Sequence, residues 1–322
     1  MAITKSKKNW VKTKNMTNED WLKLRKRSIG GSDCGAILGM NEYESPYSLW
    51  QKKCNPENVE DTEEPKNSEA IYWGHNLEDK VARDFEIRSG KKVRKHNYMM
   101  YHDKYPFISA NVDRVVVGEN AILECKTAKE FKKSEWADDK VPNSYMAQCY
   151  HYMAVTGADR AYIACLIGGS HFVWKTIERD DEIIDQIIQT EVDFWNNYVV
   201  TGIEPPKDDS NATAQALNRR WQETLAKTVE IESEQTSLFK AIDAIGKQMK
   251  ELEQQKRGYE NQLKAILGEN ERGVTDGYEV SWKPQQSKRI DTKRLKEEQP
   301  EIYRKYVKES KSRPFKIKNT NG

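Results

Sequence analysis

The spacing of apolar residues changes character along the chain, and each change marks a different kind of element. Residues 17–27 (TNEDWLKLRKR) read as a short helix, with Thr17 as its cap and Asp20 as the capping-box partner three residues on. The glycine pair of SIGGSD (28–33) follows, and Ser32 is placed to cap a second helix over 33–39. After a turn at Tyr43–Pro46 comes a short amphipathic piece ending near Lys53. Residues 54–68 carry two prolines and many acids, the composition of an exposed loop. From Ser68 an amphipathic helix spans AIYWGHNLEDKVARDFEIRS and stops at Gly90.

Between 92 and 127 the period shortens to two. KVRKHNYMMY, FISANVDRVVV and AILECKT are β-rich runs separated by His102–Pro106 and Gly118–Asn120, the pattern of a meander. Pro142 suits the first turn of a helix through NSYMAQCYHYMAVTG, which Gly157 closes. Two strands follow, 161–167 and 172–177, then a helix over about 180–200 that ends before Gly202 and Pro205–Pro206. Helices, a central mixed sheet and further helices together predict an α/β core of about 200 residues.

Beyond the double proline the rhythm changes again. Leu238, Ile242, Ile245, Met249, Leu252, Tyr259, Leu263 and Ile266 fall on alternating steps of four and three, and Lys256 takes the missing position. That is a heptad seam, either one half of an antiparallel hairpin with the preceding helix (Leu217, Trp221, Leu225) or an oligomerisation helix. A strand at 277–283 and a basic tail complete the chain. The expected division is therefore a core domain over 1–205, a helical segment over 206–270 and a small basic appendage over 271–322.

Composition narrows the function classes. The 322 residues hold 53 Lys and Arg against 51 Asp and Glu, a net charge of +2, and mean hydropathy is −0.92. No apolar run approaches the ~18 residues a membrane span needs, and the basic start lacks the apolar stretch of a secretory signal. Five cysteines without a CxxC pair fit reduced thiols and a cytoplasmic protein. The small net charge hides segregation: residues 1–27 carry +7 and residues 283–318 carry +8, leaving −13 for the rest. Basic ends on an acidic body suit a polyanion partner, although solvated basic tails are common.

The candidate chemistry centres on Asp113 and on Glu124-Cys125-Lys126. Residues two apart on a strand share a face, so Glu124 and Lys126 look into one site. Two carboxylates suit a hard cation such as Mg²⁺, and a neighbouring lysine can orient or help deprotonate a water. An alternating strand bearing Glu and Lys is also, on its own, an ordinary solvated edge. The apolar run Ala121-Ile122-Leu123 before Glu124 weighs toward burial, where such charges need partners or a metal. Glu78 lies on the helix whose stripe is Leu77, Val81 and Phe85, while Gln148 and Tyr152 stand four apart on one helical face. The spacing of His75, His96, His102 and His151 predicts no metal cluster.

Four segments, in order across residues 17 to about 200, carry a family resemblance: WLKLRKRSIGGSD, WGHNLEDKVARDFEIRSG, SANVDRVV…LECKT and SYMAQCYHYMAVTG. Together they resemble the successive motifs of YqaJ-type phage recombination exonucleases, relatives of bacteriophage lambda exonuclease in the PD-(D/E)xK nuclease superfamily. The resemblance implies a restriction-endonuclease-like α/β (α+β) core. It also implies that Asp113, Glu124 and the Cys125 carbonyl are metal ligands and that Lys126 is the catalytic lysine. Glu78 would assist a second metal, Gln148 of the QxxxY motif would orient the lysine or the attacking water, and Tyr152 would support it. Arg25 and Ser32 match positions that contact the 5′-phosphate of the digested strand, and Asp103 aligns with a further acid. The superfamily's Pro-Asp pair is absent, since Asp113 follows Asn111-Val112.

The implied activity is Mg²⁺-dependent 5′→3′ digestion of linear duplex DNA ends, with Mn²⁺ able to substitute and two ions per site. The product would be 3′ single-stranded DNA for recombination with an annealing protein of the RecT/Red-beta type, and the implied assembly is a homotrimeric ring. Two other readings stand beside it: an endonuclease or junction resolvase on the same fold, and a non-catalytic DNA-end-binding scaffold.

Overall fold

The computed structural model describes residues 9–55, 68–221, 223, 225–308 and 313–318. Most of the loop expected over 54–68 and part of the basic N-terminus fall outside these residues. The chain divides into two compact units, the first ending at Trp221.

The first unit opens with β1 (Val11–Lys12), then three short helices: α1 (Asn18–Lys26), α2 (Gly31–Ile37) and α3 (Pro46–Cys54). As expected, Thr17 caps α1, its hydroxyl oxygen accepting from the Asp20 N–H at 3.1 Å. The cap of α2 differs from the expectation. Gly30 is the N-cap, and its N–H donates to the Asp33 carboxylate at 2.9 Å, so Ser32 lies inside the first turn with its hydroxyl released for other work. The long α4 (Ser68–Ser89) ends at Gly90, whose φ of 72° is the left-handed turn that stops a helix.

Strands β2 (Val93–Lys95), β3 (Tyr98–Tyr101), β4 (Ser109–Ala110), β5 (Arg114–Val116) and β6 (Ala121–Ala128) follow. After them come α5 (Asn143–Thr156), the hairpin β7 (Arg160–Ile167) and β8 (His171–Glu178), and α6 (Asp181–Phe194). The strands do not form the expected meander. The run 92–101 breaks at His96-Asn97, where His96 is buried and packs edge-on against Trp10. Its two halves therefore join different sheets: β2 pairs with β5, whereas β3 pairs with β4 and β1. The main sheet runs β2-β5-β6-β7-β8 and is antiparallel except for the parallel pair β6–β7. The mixed α/β core read from the sequence is thus present.

Period-two alternation splits the apolar residues of the sheet between two layers. Ile122, Ala161, Ile163 and Cys165 pack in the cluster with Cys149 and Met153 of α5 and Ile184 and Ile188 of α6. Leu123, Tyr162 and Ala164 pack with Val81, Ala82 and Phe85 of α4. By the same alternation Glu124 and Lys126 face α5 and Cys125 faces α4. The α5–α6 layer also buries an ion pair. His151 Nδ1 meets Glu191 Oε1 at 2.7 Å, and Nε2 donates to the Ser109 carbonyl at 2.8 Å.

Helix α7 (Asn211–Arg220) completes the first unit. Ala216 and Leu217 join the cluster of Ile29, Tyr47, Leu49 and Trp50, and Thr213 donates to Ser45 Oγ at 2.7 Å. Leu217, one of three residues offered for a hairpin with the heptad segment, therefore packs in this core. The second unit contains α8 (Thr236–Leu267), the hairpin β9 (Arg272–Thr275) and β10 (Tyr278–Ser281), and two short helices, α9 (Thr292–Glu298) and α10 (Pro300–Tyr306). The strand expected over 277–283 is the second half of that hairpin, and the basic tail holds two helices that its charge density concealed. Among the described residues, no helix is long and apolar enough to cross a membrane.

Two outcomes follow from this packing. A Cβ on Gly31 would stand 2.4 Å from Tyr152 Cε1 and 3.0 Å from Gln148 Cγ. Gly31→Ala is expected to cost about 1–3 kcal/mol, read as a lowered thermal midpoint. For His151, burial disfavours the imidazolium, but the Glu191 carboxylate outweighs it and raises the pKa. Stability from the pair is therefore full below about pH 6.5 and is lost as pH rises through the folded value. Glu191→Gln should unfold earlier than the parent at low pH, and the two thermal midpoints should converge in alkaline buffer.

Candidate active site

The sheet delivers two carboxylates and a lysine to one place. Asp113 immediately precedes β5, and its Oδ2 accepts the Cys125 N–H of β6 at 2.8 Å. Glu124 and Lys126 stand on the α5 side of β6, where Lys126 Nζ donates to Glu124 Oε1 at 2.7 Å. Glu124 is 4% exposed. Helix α5 closes over them. Gln148 Oε1 accepts from Lys126 Nζ at 2.9 Å, while its Nε2 donates to Glu124 Oε1 at 2.8 Å. The same Nε2 donates to the Tyr152 hydroxyl at 2.8 Å, so the QxxxY pair forms a hydrogen-bonded strut across the site. The Lys126 ammonium also lies 4.7 Å from the centre of the Tyr145 ring, a cation–π contact.

The electrostatics are uneven. Burial pushes the Asp113 carboxyl well above the usual carboxylate range, and the negative charges of Glu124 and Glu78 push it further. Lys126 and the Cys125 N–H offset only part of this. Burial works against the Lys126 ammonium, but Glu124 and Asp113 outweigh it and raise its pKa, so the lysine stays charged at neutral pH. Glu124 Oε2 is buried without a hydrogen-bond partner. The thiol of Cys125, on the α4 side of β6, is driven upward by burial and by Asp113.

Glu78 reaches the edge of this cluster from α4. Its Oε1 accepts from Arg114 Nη1 at 2.5 Å, and the same nitrogen donates to the Asp113 carbonyl at 2.7 Å. Arg114 Nη2 pairs with Asp79. The adjacent arginine thus ties the helix acid to the backbone of the first carboxylate. Sequence reasoning passed over it because it sits in the apolar strand RVV.

Arg25 and Ser32 also come together. Arg25 Nη2 donates to Ser32 Oγ at 2.6 Å, and its guanidinium lies over the Trp21 ring at 4.9 Å. Behind them Lys53 Nζ donates to Asp33 Oδ2 at 2.5 Å, to the Ser28 carbonyl at 2.6 Å and to the Arg25 carbonyl at 2.9 Å. Burial opposes the Asp33 charge, but Lys53 and Arg25 overcome it and hold the carboxyl below its ordinary value. The close seat of Gly31 on Tyr152 and Gln148 places Ser32 one residue away from the strut. Asp33 and Lys53 carried no sequence signal beyond a serine-aspartate pair after two glycines.

Asp103 is exposed in the connection between β3 and β4, beside His102. No metal cluster was expected of the histidines, yet the fold gathers Cys34, His151 and Glu191 within 4.8 Å. Both imidazole nitrogens of His151 are already engaged, which makes this a core ion pair.

The YqaJ-like viral recombinase domain matches residues 20–159, a span that runs from within α1 to just past the end of α5. An uncharacterized protein YqaJ of Bacillus subtilis (strain 168) is 44% identical over 314 residues, 97% of each chain. Among solved structures, an alkaline exonuclease from Laribacter hongkongensis covers 64% of this chain and 97% of its own at 16% identity, with a TM-score of 0.44. A phage-related exonuclease from Haemophilus somnus 129PT covers 55% of this chain and 96% of its own at 15% identity, with a TM-score of 0.43. With 44% identity to YqaJ over 97% of the chain and the recombinase domain lying over the site, the chain belongs to the YqaJ-like viral recombinase family.

Proposed function

We propose that the protein is a metal-dependent exodeoxyribonuclease that digests linear duplex DNA from its 5′ ends and leaves 3′ single strands. The observation that carries this reading is the buried Asp113–Glu124 pair beside Lys126, with Glu124 Oε2 lacking any donor. A buried anionic oxygen without a partner is costly, and a cation relieves that cost. The donor set is all oxygen: two carboxylates, the Cys125 carbonyl and, for a second ion, Glu78. That chemistry fits Mg²⁺, with Mn²⁺ able to replace it. Bound there, the ions supply Lewis-acid stabilisation of the attacking and leaving oxygens at the phosphodiester.

The chain's own groups supply the rest. Lys126, kept charged by its two carboxylates, acts as a hydrogen-bond donor that orients the nucleophilic water and stabilises developing negative charge. Gln148, anchored by Tyr152, fixes the Lys126 rotamer. Arg114 holds Glu78 toward Asp113. Polarity comes from Arg25 and Ser32, a guanidinium and a hydroxyl suited to the terminal 5′-phosphate, with Lys53–Asp33 locking their backbone. Asp103 has no assigned role in this mechanism. The nuclease domain spans 1–205 in this reading, with the segments 206–270 and 271–322 as extensions. A cytoplasmic location, a homotrimeric ring on DNA and hand-over to an annealing protein of the RecT/Red-beta type belong to the same proposal.

The decisive assay incubates the pure protein with Mg²⁺ and three DNAs: linear with 5′-phosphate, linear with 5′-hydroxyl, and covalently closed circular. Expected is degradation of the linear DNAs alone, faster with the phosphate, and complete loss in EDTA. Cutting of the circle would replace the exonuclease with an endonuclease or resolvase, and binding without cleavage would leave a DNA-end scaffold. Arg25→Ala should erase the preference for phosphate. Lys126→Met should abolish cleavage while DNA affinity, measured by fluorescence anisotropy, stays within about threefold of the parent. Equal loss of binding and cleavage would remove Lys126 from the chemistry.

A further inference from the structure

Helix α8 carries an apolar face that the second unit leaves uncovered. Leu238, Ile242, Ile245, Met249, Leu252, Tyr259, Leu263 and Ile266 are between 47% and 79% exposed. They form one stripe along 32 residues, a helix of about 48 Å at 1.5 Å per residue. The β9–β10 hairpin takes only the next residue, Leu267, which is buried and lies against Gly273. A continuous apolar stripe of this length in water marks an interaction surface.

The sequence of the stripe says what covers it. Steps of four and three make Ile242, Met249, Lys256 and Leu263 the a positions and Leu238, Ile245, Leu252, Tyr259 and Ile266 the d positions of a two-stranded coil. In a parallel pair of identical helices every a residue meets its own copy, so the two Lys256 ammonium groups would face each other inside the seam. In an antiparallel pair a meets d. The register with the fullest overlap then stacks Ile242 on Ile266, Ile245 on Leu263, Met249 on Tyr259 and Lys256 on Leu252, each twice. Glu253, the e residue beside Leu252, then flanks the Lys256 of the other helix. Each chain's one seam cation thus gains an anion across the interface, while Lys256 on its own helix reaches Glu260 at only 3.6 Å.

We propose that α8 pairs with α8 of a second copy of this chain as an antiparallel two-stranded coiled coil in that register; such a two-fold pair cannot form within the three-fold ring proposed above, so the second copy belongs to another ring. The dyad passes beside Gln254, and each a–d layer, Ile245 on Leu263 among them, sets two side chains face to face within disulfide reach. The two Leu252 side chains are offset along the axis.

The test uses the full chain carrying Ile245→Cys with Leu263→Cys, which face each other in one a–d layer, and separately the full chain carrying Leu252→Cys, whose copies meet only in a parallel pair. After equilibration in a glutathione redox buffer, covalent dimer is read on a denaturing, non-reducing gel against the unsubstituted chain. The Ile245→Cys, Leu263→Cys chain is expected to give mostly dimer, Leu252→Cys no more than background, and the double-cysteine chain with Met249→Lys to fall back to background. Circular dichroism should show the same helix content in all three. Crosslinking of Leu252→Cys equal to that of the double-cysteine chain would overturn the antiparallel pairing. Background crosslinking by both would overturn the second copy as the occupant.

Discussion

The parallel pairing of β6 with β7 is the constraint on which the site depends. Parallel neighbours cannot be joined by a tight turn, so the chain must leave the sheet and cross one of its faces. Here the crossover is α5, and it crosses the face that Glu124 and Lys126 share with Ile122. Cys149 and Met153 hold the helix to the sheet, and that packing leaves Gln148 one position away from Cys149, above the carboxylate and the lysine. The apolar layer and the polar strut are thus one piece of geometry. A helix displaced by one residue would lose both.

The polar groups sit where water is scarce, which makes their mutual charge decisive. Three carboxylates converge at Asp113, Glu124 and Glu78, against the cations Lys126 and Arg114. Arg114 is largely spent on Glu78, Asp79 and a carbonyl, so Lys126 faces two acids almost alone. Burial first, and then the neighbouring acids, raise Asp113, and the unpartnered Glu124 oxygen lies in the same dry, cation-poor place. Active sites commonly store such unfavourable electrostatics, which a ligand then relieves. The Arg25–Ser32 pair lies beside α5 and is electrostatically settled, because Asp33 and Lys53 balance the charge behind it.

Much of this was legible in the sequence because it rests on local rules. Thr17, Gly90, Pro142 and Gly157 mark helix ends through cap and φ requirements that act over a few residues. The E-x-K on an apolar strand announced one shared face, and the four-residue spacing of Gln148 and Tyr152 announced another. What stayed hidden depends on long-range partners. Nothing local shows that His96 would bury beside Trp10 and split one predicted strand between two sheets. Nothing near Lys53 shows that it would end against Asp33, twenty residues back. Arg114 looked like an interruption of a strand because its two acids come from α4.

The two units solve the problem of apolar surface in opposite ways. The first divides its large side chains among layers that close on one another, down to Ala216 and Leu217 of its last helix. The second sets its large side chains on one long helix, and the hairpin beside it covers only the end at Leu267. An alternating four-and-three repeat is a poor way to build a core against short elements, since its stripe is narrow and long. It is a good way to meet another helix of the same pitch. The single lysine in the stripe sharpens this, because one buried charge penalises the pairing that sets it against itself and spares the one that sets it beside Glu253. Position 256 thus does for the second unit what Asp113 and Glu124 do for the first: an unfavourable charge specifies what must come to meet it.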